Sequence, residues 1–135
     1  MGDLNDTVAV VTGAARGQGR SHAVALAAEG ADIIAIDRCA DIDSIPYPLA
    51  TKDDLDETVR LVEAQGRRIV PVVADVRDLD AVAAGVRGGV DALGEIDIVV
   101  ANAGVVAIGR KDPLDTEVYR DIVETNLTGV WHTIV

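Results

Sequence analysis

The sequence predicts an α/β fold in which parallel strands alternate with helices in a doubly wound sheet. Short β-branched runs alternate with helical patterns along the 135 residues. Three glycines stand where the first run gives way to an alanine-rich helical pattern. The core must be aliphatic, because 49% of the residues are hydrophobic but only one Trp, two Tyr and no Phe are present. Such a composition suits strands that are buried beneath helices on both faces.

The first strand–helix unit and a second strand occupy the start of the chain. Residues 7–11 form a β-branched run that is typical of a buried parallel strand. Residues 21–29 have a helical pattern, and Gly30 follows as its terminator. Residues 32–37 are then predicted as the second strand. The three glycines therefore lie in a strand-to-helix turn.

A long irregular segment separates the second strand from the next helix. This segment covers residues 38–50 and contains two prolines. It ends at Thr51, and Asp54 stands three residues later, which matches the pattern of a helix-capping box. Apolar residues then recur at helical spacing until Gly66. We therefore predict a helix that begins directly after Thr51.

The third strand is predicted at an edge of the sheet. Residues 68–75 form a strand-like run, but Pro71 within it cannot donate a ladder hydrogen bond. An edge position fits a Rossmann sheet, whose strand order begins 3-2-1-4. A helix should follow over residues 78–93. Gly88 and Gly89 each weaken this helix by about 1 kcal/mol relative to alanine, so we expect its second half to bend or fray.

A fourth strand and a last helical pattern complete the predicted elements. The strand covers residues 96–101, and the helical pattern runs onward from Asp115. In a complete sheet this fourth strand would be central. Here one of its sides has no predicted partner, which leaves an apolar edge exposed.

Composition and charge exclude several classes of function. The formal net charge is −11, which argues against binding to nucleic acid or to an anionic membrane surface. No apolar stretch approaches the roughly 20 residues needed to cross a bilayer, and the N-terminus lacks a signal-peptide pattern. We therefore expect a cytoplasmic protein with no membrane partner. His22 and His132 lack metal-ligand spacing, so no metal site is predicted.

The glycine turn predicts a phosphate-binding site. Backbone N–H groups at the start of a helix are unpaired, and glycine lets a phosphate approach them closely. In the usual division of roles, Gly13 makes the tight turn, Gly17 allows the close approach and Gly19 lets the helix pack on the strand. Because the whole chain is acidic, such a ligand must be held locally by N–H groups and a few arginines.

The spacing T-G-x-x-x-G-x-G directly after the first strand resembles that of the short-chain dehydrogenase/reductase family. Three later segments are similar to family motifs: 74–76 to the acidic adenine-binding motif, 101–104 to Asn-Asn-Ala-Gly, and 124–131 to the N-x-x-G segment. At position 101 an alanine replaces the motif's first Asn, which puts one stabilising hydrogen bond in doubt. The resemblance implies cofactor contacts at Gly13, Arg16, Gly17, Gln18, Gly19, Asp37, Arg38, Cys39, Asp75, Val76, Asn102, Ala103 and Gly104.

NAD is the expected cofactor. Asp37 closes the second strand 18 residues after Gly19, where Rossmann folds place the acid that binds the adenosine ribose hydroxyls. A carboxylate there would repel the 2′-phosphate of NADP. Arg16 and Arg38 point the other way, since a basic residue at either place often accompanies NADP in this family. We favour NAD because the charge of Asp37 penalises the extra phosphate in either case.

The family's catalytic residues are a Ser, a Tyr and a Lys four positions after that Tyr. This sequence contains no such pair, because neither Tyr47 nor Tyr119 is followed by Lys at that spacing. Asn126 matches the family's Asn, whose backbone carbonyl holds a water that links the catalytic lysine to solvent. We therefore expect residues 1–135 to be the N-terminal NAD-binding part of a single Rossmann domain, inactive without a C-terminal half.

Residues 38–50 resemble the insertion of the carveol dehydrogenase type, which is often mycofactocin-associated. That resemblance implies a tightly held NAD, a small hydrophobic or terpenoid-like alcohol or ketone as substrate, and a homodimer or tetramer. A surface loop with no special role is the alternative interpretation of the insertion. The alternative function is a non-catalytic NAD-binding or regulatory module, which the missing Ser, Tyr and Lys would also fit.

Overall fold

The four strands of the computed structural model form one parallel sheet in the order β3-β2-β1-β4. The structure describes residues 2–108, 112 and 114–135. This order confirms the predicted first half of a Rossmann sheet. Within the described residues β3 pairs only with β2, as the proline in it predicted. The strands are β1 Val8–Thr12, β2 Asp32–Asp37, β3 Ile69–Val73 and β4 Ile98–Val100.

Helices follow each strand, and the last helical region has an irregular centre. A five-residue π-helical segment joins two short α-helices there, within the helical pattern that was predicted from Asp115 onward. None of the described helices is long and apolar enough to cross a membrane. The helices are α1 Gly17–Ala28, α2 Lys52–Ala64, α3 Leu79–Leu93, α4 Thr116–Val123 and α5 Gly129–Ile134, with the π-helical segment at Glu124–Thr128.

Three predicted boundaries were wrong by more than a residue, and one of them is the end of β3, which lies at Val73 instead of the predicted residue 75. Helix α1 begins at Gly17, four residues before the predicted start, because Gly17 and Gly19 belong to its first turn. Glycine is a poor helix former, so the pattern alone places the start too late. Strand β4 is confined to Ile98–Val100, which is shorter than the predicted 96–101. Helix α2 begins as predicted: the Asp54 N–H donates to Thr51 Oγ1 and the Thr51 N–H donates to Asp54 Oδ2.

The core lies on both faces of β1 and β2. All five residues of β1 are buried, and so are the first five residues of β2. Because successive side chains of a strand point to opposite faces, the two strands divide their side chains between two clusters. One cluster contains Ala9, Val11, Ile33 and Ala35 with Ala23, Ala27, Leu55 and Val62 of α1 and α2, and the other contains Val8, Val10, Ile34 and Ile36 with Val82 of α3.

Helix α3 is unbroken from Leu79 to Leu93, so the expected fraying of its second half is wrong. Gly89 explains part of the difference, because the helix lies so close to the sheet there that a side chain would not fit. A Cβ on Gly89 would stand 2.5 Å from Cδ1 and 2.7 Å from Cγ1 of the fully buried Ile34. A Cβ on Gly88 would have no atom within 4 Å. Close packing against Ile34 therefore requires glycine at position 89, whereas no such contact requires it at position 88 among the described residues.

Substitution of the two glycines by alanine should have opposite effects on stability. We expect Gly88→Ala to raise the free energy of unfolding by about 0.5–1 kcal/mol, since alanine is the better helix former. Gly89→Ala should lower it by about 1–3 kcal/mol, because Ile34 must move within a packed core. Urea denaturation of both variants measures the two changes. Equal effects at both positions would contradict the close helix–sheet packing.

Candidate functional site

A cavity of about 300 Å³ opens where the four parallel strands end. Its wall is formed by the segments that directly follow the strands, which is where open α/β sheets bind ligands. Three of the predicted site residues, Gly19, Cys39 and Asn126, are not part of this wall. The predicted site residues that line it are Gly13, Arg16, Gly17, Gln18, Asp37, Arg38, Asp75, Val76, Asn102, Ala103 and Gly104.

The three glycines of the turn differ in their surroundings. Gly13 has φ +66°, a left-handed conformation that glycine adopts without strain. Gly17 has φ +58°, and a Cβ built on it would meet nothing within 4 Å, so its cavity side is open. A Cβ on Gly19 would lie 1.9 Å from the Gly13 carbonyl oxygen. Gly19 therefore lets the start of α1 rest directly on the turn.

The start of α1 offers hydrogen-bond donors to the cavity. Residues 17–19 form the first turn of the helix, where the N–H groups have no earlier helical carbonyl to bond. Arg16 is the N-cap residue, and its side chain does not cap the helix. The aligned peptide dipoles place partial positive charge at this end. The arrangement favours an anionic group between Gly17 and the opposite wall.

Asp37 lies at the end of β2 with its carboxylate fixed by two backbone groups. Its Oδ2 accepts a hydrogen bond from the Ala15 N–H at 3.1 Å, and its Oδ1 accepts one from the Cys39 N–H at 3.0 Å. A carboxylate has about four lone-pair sites, so each oxygen retains acceptor capacity. Asp37 can therefore accept further hydrogen bonds from hydroxyl groups in the cavity.

Both arginines beside the cavity hold the irregular segment 38–50, which we call the strap. Arg16 Nη2 donates to the Pro48 carbonyl oxygen at 2.8 Å. Arg38 pairs with Asp75 at 2.6 Å and donates to the Asp41 carbonyl oxygen at 2.9 Å. Each guanidinium group is thus already used to position backbone or a carboxylate of the protein.

Asp75 is held by arginines from two sides. Arg77 Nη2 lies 2.7 Å from its Oδ2, and Arg38 contacts the same oxygen. Burial by itself would raise the pKa of Asp75, but the hydrogen bonds and charge of Arg77, aided by Arg38, hold the pKa below its usual value. The N-cap of α3 is Asp78, whose Oδ1 accepts from the Ala81 N–H at 3.0 Å. Asp78 therefore caps α3, and Asp75 is a charged member of the cavity wall.

The strap is fastened to the last helices and to the loop after β4. The Ser44 hydroxyl of the strap donates to the carboxylate of Asp121 in α4. Arg77 Nη1, outside the strap, contacts the same carboxylate at 2.7 Å. The Val106 N–H donates to the Tyr47 hydroxyl oxygen at 3.0 Å. Beneath these contacts lies a separate apolar cluster of Ile42, Ile45 and Val105, with Tyr47, Leu49 and Ile122 against it.

Asn102 and Thr12 join the ends of β4 and β1. Asn102 Nδ2 donates to the Thr12 carbonyl oxygen at 3.1 Å. Thr12 Oγ1 in turn accepts from the backbone N–H groups of Asn102 and Ala103, both at 3.0 Å. The sequence analysis missed Thr12, although a polar residue at the end of a buried strand directly before Gly13 was an available signal. This pairing sets where Ala103 and Gly104 pass along the cavity.

Asn126 lies in the π-helical segment and bonds the loop after β4. Its Oδ1 accepts from the Val105 N–H and its Nδ2 donates to the Val105 carbonyl oxygen, both at 2.8 Å. The adjacent Thr125 lines the cavity and is only 5% exposed. Its buried Oγ1 has no hydrogen-bond partner among the described residues. The sequence analysis missed Thr125, because no motif marks that position.

Cys39 packs away from the cavity against the core cluster of α1 and α2. Burial, together with the nearby charge of Asp37, raises the pKa of its thiol to about 11. At neutral pH the thiol is therefore protonated and is a poor nucleophile. Its predicted cofactor contact stays a prediction. In the part of the chain that the structure describes, no group of three His, Cys, Asp or Glu residues could hold a metal ion.

Comparison with known proteins decides the family. The family model described as short chain dehydrogenase matches residues 7–135. This chain belongs to the short-chain dehydrogenase family. The resemblance deduced from the glycine spacing and the three later segments is thereby confirmed. Because the match begins at Thr7 and continues through the last helices, all the motifs that suggested the family lie inside the matched region.

Several relatives of this short-chain dehydrogenase carry informative names. It is 48% identical over 134 residues to the (−)-trans-carveol dehydrogenase of Rhodococcus erythropolis, which covers 98% of this chain and 48% of that protein. It is 52% identical over 134 residues to an uncharacterised NAD-dependent oxidoreductase of Mycobacterium tuberculosis strain H37Rv, covering 98% of this chain and 49% of the relative. The predicted likeness to the carveol dehydrogenase group is thus confirmed. The chain spans about half the length of the curated relatives it matches.

Solved structures agree with this relationship. The carveol dehydrogenase of Mycobacterium avium, crystallised in complex with NAD, superposes with a TM-score of 0.94 at 53% identity, covering 99% of this chain and 49% of that one. A short chain dehydrogenase of Mycobacterium paratuberculosis bound to NAD has the same TM-score at 54% identity, with coverage of 98% and 49%. The fold around the cavity is therefore the same in these NAD-bound relatives.

Proposed function

We propose that this chain is the NAD-binding part of a short-chain oxidoreductase that interconverts a secondary alcohol and a ketone. The observation that carries the proposal is that one cavity at the strand ends has an open glycine turn on one side and the carboxylate of Asp37 on another. An anion site and a hydroxyl-binding acid in one cavity suit a dinucleotide. The NAD bound in both relatives of known structure supports the same ligand.

The residues of the cavity fit NAD. The first-turn N–H groups of α1 and the open side of Gly17 would hold the pyrophosphate, and Asp37 would accept hydrogen bonds from the adenosine ribose hydroxyls. Asp75 and Val76 would lie against the adenine, while Ala103 and Gly104 would leave space for the second ribose. When bound, NAD supplies the hydride chemistry that protein side chains lack.

NADP fits the site less well than NAD. The extra 2′-phosphate would stand beside the Asp37 carboxylate, which repels it at short range. Arg16 already holds the Pro48 carbonyl and Arg38 the Asp75 carboxylate, so turning either guanidinium group toward that phosphate would disturb those contacts. Because both guanidinium groups hold the strap in place, their release would cost hydrogen bonds. These contacts support NAD over NADP.

Asp37→Asn should reduce the preference for NAD. We expect the ratio of the Kd for NADP to the Kd for NAD to fall about 10-fold, because the charge is lost while an acceptor oxygen remains. Isothermal titration of both dinucleotides into the wild type and the variant measures this ratio. Asp43→Asn is the matched control, since Asp43 is an exposed carboxylate of the strap that does not line the cavity. An unchanged ratio in Asp37→Asn would contradict the proposed ribose contact.

We further propose that a C-terminal half completes the domain and supplies the Ser, Tyr and Lys. The 135 residues contain no Tyr-x-x-x-Lys pair, and Asn126 would support the lysine from its π-helical segment. Strand β4 pairs with β1 on one side only within the described residues, and Val99 in it is 43% exposed. Exposed apolar residues on the last helices support a dimer or tetramer through that surface: Tyr119, Leu127, Trp131 and Ile134.

A non-catalytic NAD-binding or regulatory module is the competing function. Mass spectrometry distinguishes the oxidoreductase from the regulatory module. The protein is isolated from its natural source, and its mass under denaturing conditions is compared with the 14.1 kDa of this chain. We expect a mass near twice that value, or a second species of similar size, and NAD-dependent oxidation of small hydrophobic alcohols such as carveol. A single species near 14.1 kDa that binds NAD without oxidising any alcohol would instead favour the regulatory module.

The strap supports a cofactor that is released slowly. It closes over one side of the cavity and is fastened at Tyr47, Ser44 and Arg38 to three separate parts of the chain. These contacts would hold the strap over an NAD molecule beneath it and slow the release of that molecule. Slow exchange would in turn favour reoxidation by an external carrier of the mycofactocin kind, as the resemblance to the carveol dehydrogenase group implies.

Weakening the strap should accelerate NAD release. We expect the double variant Ser44→Ala and Tyr47→Phe to raise the dissociation rate about 10-fold, since two hydrogen bonds of roughly 0.5–1.5 kcal/mol each are lost. Stopped-flow displacement of bound NADH, followed by its fluorescence, measures the rate. Tyr119→Phe is the control, because Tyr119 is an exposed tyrosine outside the strap. A dissociation rate equal to that of the wild type would overturn the proposed closure.

A further inference from the structure

Two side chains hold the carbonyl groups of the glycine turn from behind. Thr58 of α2 is fully buried, and its Oγ1 lies 2.8 Å from the Ala14 carbonyl oxygen and 3.2 Å from that of Ala15. Arg20 of α1 donates through Nη2 to the Ala15 carbonyl oxygen at 2.6 Å and to that of Asp54 at 2.7 Å. Arg20 Nε also donates to Thr58 Oγ1 at 3.1 Å. The carbonyl groups of the turn are thus hydrogen-bonded to side chains of both α1 and α2.

These contacts leave the peptide groups of the turn little freedom. The Ala14 N–H donates to the Ile36 carbonyl oxygen at 3.2 Å, and the Ala15 N–H donates to Asp37 Oδ2 at 3.1 Å. All four backbone polar groups of Ala14 and Ala15 are therefore bonded within the protein. Because a peptide unit is planar, fixing the Ala15 carbonyl also fixes the direction of the Arg16 N–H in the same plane.

Arg20 also places a positive charge behind the turn. In the described part of the chain its hydrogen bonds go to uncharged oxygens: the hydroxyl of Thr58 and the carbonyls of Ala15 and Asp54. Within the described residues no carboxylate lies within ion-pair distance of it. Arg20 interacts electrostatically with the nearby carboxylates of Asp54 and Glu57, yet its partly buried guanidinium lies directly behind the turn, where a positive charge favours an anion.

We propose that Arg20 and Thr58 are positioning residues for the pyrophosphate of the dinucleotide. They would act through the turn, by holding its carbonyls back so that the Arg16 N–H and the first-turn N–H groups of α1 stay aimed at the phosphates, and Arg20 would add long-range attraction. The inference rests on the proposed NAD-binding function. A positioning role differs from a general stabilising role because its loss should weaken the binding of ligands that carry phosphate more than the binding of ligands that lack it.

A ligand series tests this distinction. NAD, ADP and adenosine are titrated by calorimetry into the 135-residue chain and its Thr58→Val and Thr58→Ser variants. We expect Thr58→Val, which keeps the shape but removes the hydroxyl, to weaken NAD and ADP about 10-fold and adenosine less than 2-fold. Thr58→Ser should restore most of the affinity. Thr133→Val is the matched control, because the Thr133 hydroxyl also donates to a carbonyl, that of Gly129, away from the turn.

The charge of Arg20 is tested separately. We expect Arg20→Gln to weaken ADP about 10-fold, with a smaller salt dependence of the remaining affinity, while Arg60→Gln, at an exposed arginine paired with Glu57, leaves ADP affinity unchanged. Thermal melts followed by circular dichroism identify any variant that fails to fold. If Thr58→Val fails to fold, the affinities of Thr58→Ser for ADP and adenosine are compared with those of the wild type instead.

The outcomes separate the two proposals. Equal losses for adenosine and ADP in the folded Thr58→Val chain, or no loss for either, would overturn the positioning role while leaving NAD binding intact. If the folded wild type bound none of the three ligands, the proposed NAD-binding function would fall, and the positioning role with it. Loss of phosphate ligands alone, restored by serine, supports both.

Discussion

The close contact between the start of α1 and the glycine turn is the constraint on which the site depends. A Cβ on Gly19 would stand 1.9 Å from the Gly13 carbonyl oxygen, so only glycine allows the helix to begin there. That contact brings the first-turn N–H groups of α1 to the strand ends, beside Asp37 and Asn102. The other walls of the cavity are arranged around this fixed turn, through Thr12 on one side and Thr58 on the other.

The proposed ligand is an anion, although the chain is itself strongly acidic. Four arginines near the cavity provide local positive charge for such an anion. Arg16, Arg38 and Arg77 each hold a neighbouring segment, while Arg20 lies behind the glycine turn. Asp75 and Asp121 offset part of the charge of Arg38 and Arg77. Arg16 and Arg38 also fasten the strap, so ligand attraction and closure of the cavity depend on these two shared residues.

The fold and many of the residues that line the cavity could be predicted from local patterns in the amino-acid sequence. Alternating strand and helix patterns, Pro71 and the capping box at Thr51 are local signals, and each was confirmed by the structure. The strand-end residues such as Asp37 could be predicted to meet because parallel strands end at one edge of a sheet. Helix boundaries at glycines and the continuity of α3 could not, since glycine's low helix propensity is overridden there by close packing.

The side chains that hold the strand ends, the glycine turn and the strap in place could be identified only from the tertiary structure. Thr12 bonds residues 90 and 91 positions away, and Arg20 and Thr58 reach across 38 positions to form one brace. Thr125 lines the cavity with an unbonded hydroxyl, and Arg38 pairs with Asp75 instead of pointing freely to a ligand. Local patterns specify backbone conformation, whereas hydrogen bonds between distant side chains depend on distances that exist only after the strands and helices have packed.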